Sequence, residues 1–293
     1  MRLCLDCKRT FDAASHAAPC PACGSRVVYE KGVPCYAPAL AHESPGFRPE
    51  HFARLAQLEE GHFWFRARSE LIVHVLRRFF PHARNMLEIG CGTGFVLRGI
   101  TRALPDLHAS GSEIFLEGLS FAAQRLPAAD LFQMDARRIP CENEFDLIGA
   151  FDVIEHIEED EQVLREIHRA LKPTGGAIFT VPQHPALWSA QDESACHVRR
   201  YRRGELDDKL RANGFSVVFS TSFVSLLLPV LAISRWRKRT PTVDAGLDSE
   251  FAPGAFLNSA LYHVLRLESL LIRGGFRFPV GGTRLVAAVK TDD

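Results

Sequence analysis

Net charge is the first thing this chain lacks. Its 35 Lys and Arg balance 35 Asp and Glu over 293 residues, so no global field draws it onto nucleic acid or a charged membrane, and such affinity must come from local patches. Long apolar runs are missing as well: no stretch of about 18 apolar residues marks a spanning helix. The first residues, MRLCLDCKRTFDA, lack the apolar core of a secretory leader, and the expected compartment is the cytoplasm. What remains is 46% hydrophobic and 24% charged, which suits a soluble globular protein with one substantial core and a small appendage.

Cysteine is concentrated at one end. Cys4, Cys7, Cys20 and Cys23 form C-x2-C-x12-C-x2-C, two knuckles that can each supply two thiolates to one tetrahedral Zn2+. Two disulfides are the alternative, disfavoured in a reducing compartment. Residues 1–30 are too few to hold a core unaided, so this zinc ribbon is expected to fold around its metal. Cys35, Cys91, Cys141 and Cys196 lack such spacing and read as buried thiols.

Residues 31–50 carry four prolines and two glycines and read as a linker. Residues 51–82 suggest two helices broken near Gly61 and stopped by Pro81. From 83 to 293 short apolar runs alternate with amphipathic segments, the pattern of a parallel sheet covered by helices on both faces. Strands are expected at 85–89, 107–112, 130–134, 145–151 and 176–181, with two more at 215–223 and 283–290. Between those last two lies a helical insertion, 224–282, the least predictable part of the chain.

The most informative stretch is NMLEIGCGTGFVLRGI, residues 85–100. Glycine permits a tight turn and close backbone approach to a ligand, and the helix start that follows offers free N–H groups and partial positive charge. Gly90, Gly92 and Gly94 are spaced i, i+2, i+4, and the position of the third glycine of a dinucleotide fingerprint is Phe95. That argues against NAD or FAD and for another adenosine cofactor. In an open α/β sheet ligands bind beyond the carboxyl ends of the strands. Those ends carry Glu88, then Glu113, 23 residues past Gly90 and able to accept both hydroxyls of a ribose. Next come Asp135, placed for a base edge or a turn cap, and the FDVIEHI segment with Asp152, Glu155 and His156 over the same crevice.

These residues resemble the class I S-adenosylmethionine-dependent methyltransferases. LEIGCGTGF resembles their first motif, Glu113 their ribose acid, MDA at 134–136 their adenine motif, and FDVIEHI with LREIHRALKPTGGAIFTVP their fourth and fifth. The resemblance covers about 60–223 plus 283–290 and is closest to the ubiquinone/menaquinone-biosynthesis type, small-molecule enzymes. It implies an α/β fold with a seven-stranded Rossmann-like sheet whose last strand is antiparallel. It further implies cofactor contacts from Glu88, Gly90, Cys91, Gly92 and Gly94, ribose contacts from Glu113 with Ile114 beside it, and adenine contacts from Asp135 and Ala136. Phe151 and Asp152 would close the other side, and Arg68 would pair with the cofactor carboxylate, a planar anion suited to arginine.

A sulfonium methyl is already activated, so the protein mainly brings a nucleophile into line and excludes water. For a hydroxyl acceptor, His156 and His197 are candidate bases and Asp192 a candidate orienting partner. His156 reads equally as a helix-start histidine, and the arginines of HVRRYRR equally as a solvated turn or an anion-binding rim. The expected acceptor is a small or lipid-linked molecule. No nucleic-acid partner is expected, since the ribbon carries only Arg2, Lys8, Arg9 and Arg26 and few aromatics. An RNA methyltransferase and a noncatalytic scaffold are the rivals. The segment 224–239 reads as a packed lid, a homodimer contact or a peripheral contact at the inner membrane face.

Overall fold

The computed structural model describes residues 1–13, 15–42, 51–237 and 254–291. Two hairpins open the chain, β1 (Arg2–Leu3) with β2 (Thr10–Phe11) and β3 (Val28–Glu30) with β4 (Val33–Cys35). Helices α1 (His51–Leu58) and α2 (Phe63–Phe79) follow. The alternating unit comprises β5 (Asn85–Ile89), α3 (Phe95–Ala103), β6 (His108–Glu113), α4 (Leu116–Arg125), β7 (Asp130–Gln133), β8 (Phe145–Phe151), α5 (Asp160–Ala170) and β9 (Leu171–Pro182). Then come α6 (Ala190–Ser194), α7 (Glu205–Ala212), β10 (Phe215–Phe223), α8 (Leu228–Arg237), α9 (Ala255–Arg273) and β11 (Thr283–Lys290).

One sheet organises the molecule, in the order β10-β11-β9-β8-β5-β6-β7-β4-β3. β5 pairs in parallel with both β6 and β8, so the order of strands reverses beside it and opens a crevice at its carboxyl end. β11 lies antiparallel between β9 and β10. The central strands read as unbroken apolar runs because both faces are covered: Leu87, Ile148, Ala150 and Phe179 are buried against α5 and α7 through Val163, Ile167 and Leu206. Met86, Leu147 and Ile178 are buried on the other face against α2, α3 and α9. Helix α2 presents Leu71, Ile72, Val75 and Leu76 to that core, a stripe at helical spacing.

The expected seven strands become nine. Lys31 and Gly32 both adopt positive φ, as a tight two-residue hairpin turn requires, and the resulting β3–β4 hairpin joins the edge beside β7. Cys35 pairs with Gln133, and the Tyr36 N–H donates to the Gln133 carbonyl at 2.8 Å. The fully buried Gln133 side chain accepts from the Ala37 N–H and donates to the carbonyls of Ala37 and Ile114. Residues 31–42 are therefore an annex of the sheet and not a loose linker; the remainder of that expected linker, 43–50, lies outside the described residues.

The insertion after β10 packs over α2. Tyr262 donates to Glu70, and Asn258 accepts from the Phe63 N–H at 3.0 Å and donates to the Gly61 carbonyl at 2.9 Å, tying α9 to the α1–α2 turn. Leu226, Val230 and Ile233 of the 224–239 segment are exposed, while Lys238 and Arg239 lie outside the described residues. No helix among the described residues is long and apolar enough to cross a membrane.

Candidate functional site

A cavity of about 1030 Å³ opens at the carboxyl ends of β5, β6 and β8, at the upper end of the roughly 300–1,000 Å³ typical of small-molecule sites. It is roofed by α1 and α2 through Phe52, Trp64 and Phe65, and walled on one side by Leu227, Leu231 and Leu261 of the insertion. All the cofactor candidates line it except Gly94, which instead starts α3 at φ +76° packed against Ala122. His156, Asp192 and His197 line it as well.

The glycine turn sits at the mouth of β5. Gly90 has φ +63°, and a Cβ there would meet the Val153 side chain at 2.5 Å, so both the turn and its neighbour demand glycine. Thr93 donates to the buried Glu59 carboxylate, which also takes Arg125 at 2.5 Å, and Arg125 reaches the Ala56 carbonyl. This network clips α1 onto the turn and onto α4. Glu59, Thr93 and Arg125 were not singled out by sequence; the residues linked lie 34 and 66 positions apart, and no local pattern announces them.

Glu113 is buried with its carboxylate facing the turn. It accepts from the N–H groups of Gly92 at 3.1 Å and Ile114 at 2.8 Å, yet burial outweighs these bonds and holds its carboxyl above the usual range. Glu88 is 2% exposed, and burial pushes it up to about 8, with the Arg68 charge opposing. Arg68 pairs with Asp152, lies 4.8 Å from the Trp64 ring and is itself buried. The guanidinium expected to face a cofactor carboxylate thus already holds one protein carboxylate, while its Nε and Glu88 Oε2 are buried without a hydrogen-bond partner. Asp135 is held by its neighbour two residues on: Arg137 Nε lies 3.0 Å from both carboxylate oxygens. Burial keeps the Cys91 thiol protonated, well above its ordinary range.

On the far side of the cavity, β8 ends at Phe151, Asp152 follows at φ +57°, and the chain passes into a 3-10 turn, Ile154–His156. Glu155 is wholly buried, and burial together with the nearby Asp152 charge raises its carboxyl well above the usual range. Burial drives His156 down to about 3, the His197 ring adding to the fall. The two rings meet edge to face at 4.8 Å. His197 Nδ1 lies 2.9 Å from Asp192 Oδ1, and Arg200 Nε donates to the same oxygen at 2.7 Å. Asp192 is positioned by a capping box, its second oxygen accepting from the Ser189 N–H at 3.0 Å. Arg199 is committed to Asp160 and Arg200 to Asp192, so of the arginine run only Arg202 and Arg203 are exposed. Glu155 was noted in sequence only as a strand-end acid; the FDVIEH spacing was the signal that it faces the same crevice.

At the N-terminus the Sγ atoms of Cys4 and Cys23, and of Cys7 and Cys20, are 3.6 Å apart, and all four lie within 4.8 Å of one another. Disulfide sulfurs would be about 2.05 Å apart, whereas thiolates at about 2.3 Å from a tetrahedral zinc sit roughly 3.8 Å apart. The geometry fits a Zn2+ site. His16 anchors the ribbon to the sheet, reaching Asp130 at 2.9 Å and the Tyr36 hydroxyl at 2.8 Å.

Residues 87–177 match a family model described as a methyltransferase domain. A Mycolicibacterium smegmatis protein named as a probable S-adenosylmethionine-dependent methyltransferase is 26% identical over 166 residues, 55% of this chain and 62% of that protein. The malonyl-[acyl-carrier protein] O-methyltransferase of Haemophilus ducreyi is 31% identical over 102 residues, 33% of this chain and 40% of that one. The ubiquinone biosynthesis O-methyltransferase of Pseudomonas syringae is 29% identical over 121 residues, 36% and 47% respectively. The match spans less than two thirds of each relative's own length. Among solved structures, the [4+2]-cyclase SpnF superposes with a TM-score of 0.54 at 19% identity, covering 78% of this chain and 83% of that one. Phosphoethanolamine N-methyltransferase 2 of Haemonchus contortus, in complex with S-adenosyl-L-methionine, gives 0.52 at 19%, covering 76% and 52%. Those two likenesses speak to the fold. Over residues 87–177 the chain is similar to a methyltransferase domain, and its named relatives are S-adenosylmethionine-dependent methyltransferases or O-methyltransferases.

Proposed function

We propose that this chain is an S-adenosylmethionine-dependent methyltransferase acting on an O or N nucleophile of a small or lipid-linked molecule. One observation carries the reading: the turn at Gly90, where a Cβ would meet Val153 at 2.5 Å, and buried Glu88 and Glu113 lie inside the stretch that matches the methyltransferase model, and buried Arg68 of α2 lines the same cavity. The residues fit the cofactor. Glu88 Oε2 and Arg68 Nε, buried and without hydrogen-bond partners, offer an acceptor and a donor to the ammonium and carboxylate of a methionine end.

Bound there, the cofactor supplies an activated methyl group. The chain's own part is alignment and exclusion of water. Gly90, Cys91 and Gly92 would contact it through the backbone, Glu113 and Ile114 would face the ribose, and Asp135 and Ala136 the adenine, with Phe151 and Asp152 opposite. His197, oriented by Asp192, faces the remaining space with His156 and can take an acceptor proton. The apolar wall of Leu227, Leu231 and Leu261 suits an acceptor with an apolar body, and two relatives named as O-methyltransferases, one of malonyl-[acyl-carrier protein] and one of ubiquinone biosynthesis, support a small or carrier-linked acceptor. Cys4, Cys7, Cys20 and Cys23 would hold a structural Zn2+.

Calorimetry with S-adenosylmethionine should show one molecule bound per chain. A methylation screen of cytosolic and lipid extracts should then yield a labelled small or lipid-linked product. Label found only in RNA or protein would overturn the acceptor class, and failure to bind the cofactor would overturn the whole reading.

A further inference from the structure

The acceptor side of the cavity holds more metal-binding chemistry than a lone proton acceptor requires. Glu155 is 0% exposed, and both of its carboxylate oxygens lack a hydrogen-bond partner. Leaving such a group unsatisfied is costly, and native proteins rarely do so without a ligand in view. Two imidazoles face it: one donor atom each from Glu155, His156 and His197 lies within 4.8 Å of the others.

A simple ion pair explains this poorly. His197 Nε2 is 4.0 Å from Glu155 Oε1, beyond hydrogen-bond length. The other ring nitrogen is spoken for: Nδ1 sits 2.9 Å from Asp192 Oδ1, an oxygen itself fixed by Arg200. A proton held on Nδ1 by that carboxylate leaves the Nε2 lone pair directed towards Glu155 and His156. A histidine whose far nitrogen donates to a carboxylate is the usual support of a metal ligand, setting tautomer and ring orientation. A cation about 2.0–2.2 Å from each donor draws the donors to roughly 3–3.5 Å of one another, so loading asks the three side chains to close by about an ångström.

We propose that Glu155, His156 and His197 bind one divalent transition-metal cation at the acceptor end of the cavity, with Asp192 as the positioning residue. Two imidazoles and one carboxylate suit Mn2+, Fe2+, Co2+ or Zn2+ and leave coordination positions open. The site stands on its own geometry; its purpose rests on the methyl-transfer reading. There the cation would take an acceptor hydroxyl oxygen as a ligand and lower its proton affinity, so that the proton leaves to water and the oxygen is ready to accept the methyl. The acceptor is then a hydroxyl compound, and His197 acts as a ligand where it would otherwise serve as a base.

Mn2+ is the probe, because the four-thiolate ribbon retains Zn2+ in preference to this harder ion. Full-length, zinc-loaded protein titrated with Mn2+, free ion followed by electron paramagnetic resonance, should bind one equivalent. Glu155→Gln and His197→Ala should abolish that equivalent, Asp192→Asn should weaken it about 10-fold, and Arg203→Ala, at an exposed position, should leave it unchanged. Thermal melts of each variant identify any that fail to fold, and the wild-type titration decides the matter without them. No stoichiometric Mn2+ in the wild type, or binding unaltered in folded Glu155→Gln and His197→Ala, overturns the site. S-adenosylmethionine calorimetry on the same samples separates the two readings: cofactor bound without Mn2+ overturns the cation site alone, whereas Mn2+ bound without cofactor supports the site and overturns methyl transfer.

Discussion

Glu88 carries a pH-dependent penalty that a single isosteric change removes. Its carboxyl titrates near 8 when folded against 4.5 otherwise, chiefly through burial. Between those values the folded chain holds a proton that the unfolded chain has released, so stability falls as pH rises from 4.5 to 8, by up to a few kcal/mol. Glu88→Gln should therefore unfold at higher denaturant than wild type at pH 8 and alongside it near pH 4.5; a wild-type advantage at pH 8 would contradict the assignment. His197→Ala should lower kcat by about 100-fold or more while the dissociation constant for S-adenosylmethionine, read by calorimetry, stays within about twofold, if the proposed division of the cavity between cofactor and acceptor holds. At this scale the sequence was legible wherever the signal is local. Three glycines in five residues and the strand-end acids are read directly, and Asp192 and His197 are five residues apart. The pairing of Arg68 with Asp152 was not legible, because it depends on how α2 crosses the carboxyl end of β8, which no spacing encodes.

Among the elements, α9 braces the turn between the two helices that roof the cavity. Asn258 bonds to both sides of the α1–α2 turn, accepting at Phe63 and donating to Gly61. Asn258→Ala leaves these two backbone groups without their partner, and about 1–2 kcal/mol of stability should be lost. Amide hydrogen exchange at residues 61–63 should rise with it; unchanged protection there would show that α9 does not brace the roof. The strands of the alternating unit were predictable from their apolar runs, since a parallel sheet buried on both faces leaves that pattern. The β3–β4 hairpin was not, because the prolines and glycines of 31–50 resemble a linker, and what places Val33–Cys35 in the sheet is the edge of β7, with the distant contact of His16 and Asp130, 114 positions apart, beside it. The insertion, the least predictable part of the chain in sequence, had no stated partner; its seat on α2 is set by Tyr262 and Glu70, 192 positions apart.

Over the whole molecule, the ribbon and the sheet domain are continuous through hydrogen bonds, so they should unfold together. Chelation of the proposed zinc should lower the melting temperature of a single transition and weaken S-adenosylmethionine binding, because Gln133 links the carbonyl of Ala37 on the ribbon side to that of Ile114 beside Glu113. Two separate transitions, the second unmoved by chelator, would refute that continuity. The same hairpin also bears on edge-to-edge pairing between copies of the chain. A sheet margin with unpaired N–H and C=O groups is a template for another chain, and natural proteins shield it with short, interrupted strands. Here the margin ends in β3, three residues long and closed by a tight turn. A chain shortened to begin at residue 51 would strip that shield from β7, leave the Gln133 carbonyl and the segment around Leu131 and Phe132 open to solvent, and self-associate edge to edge.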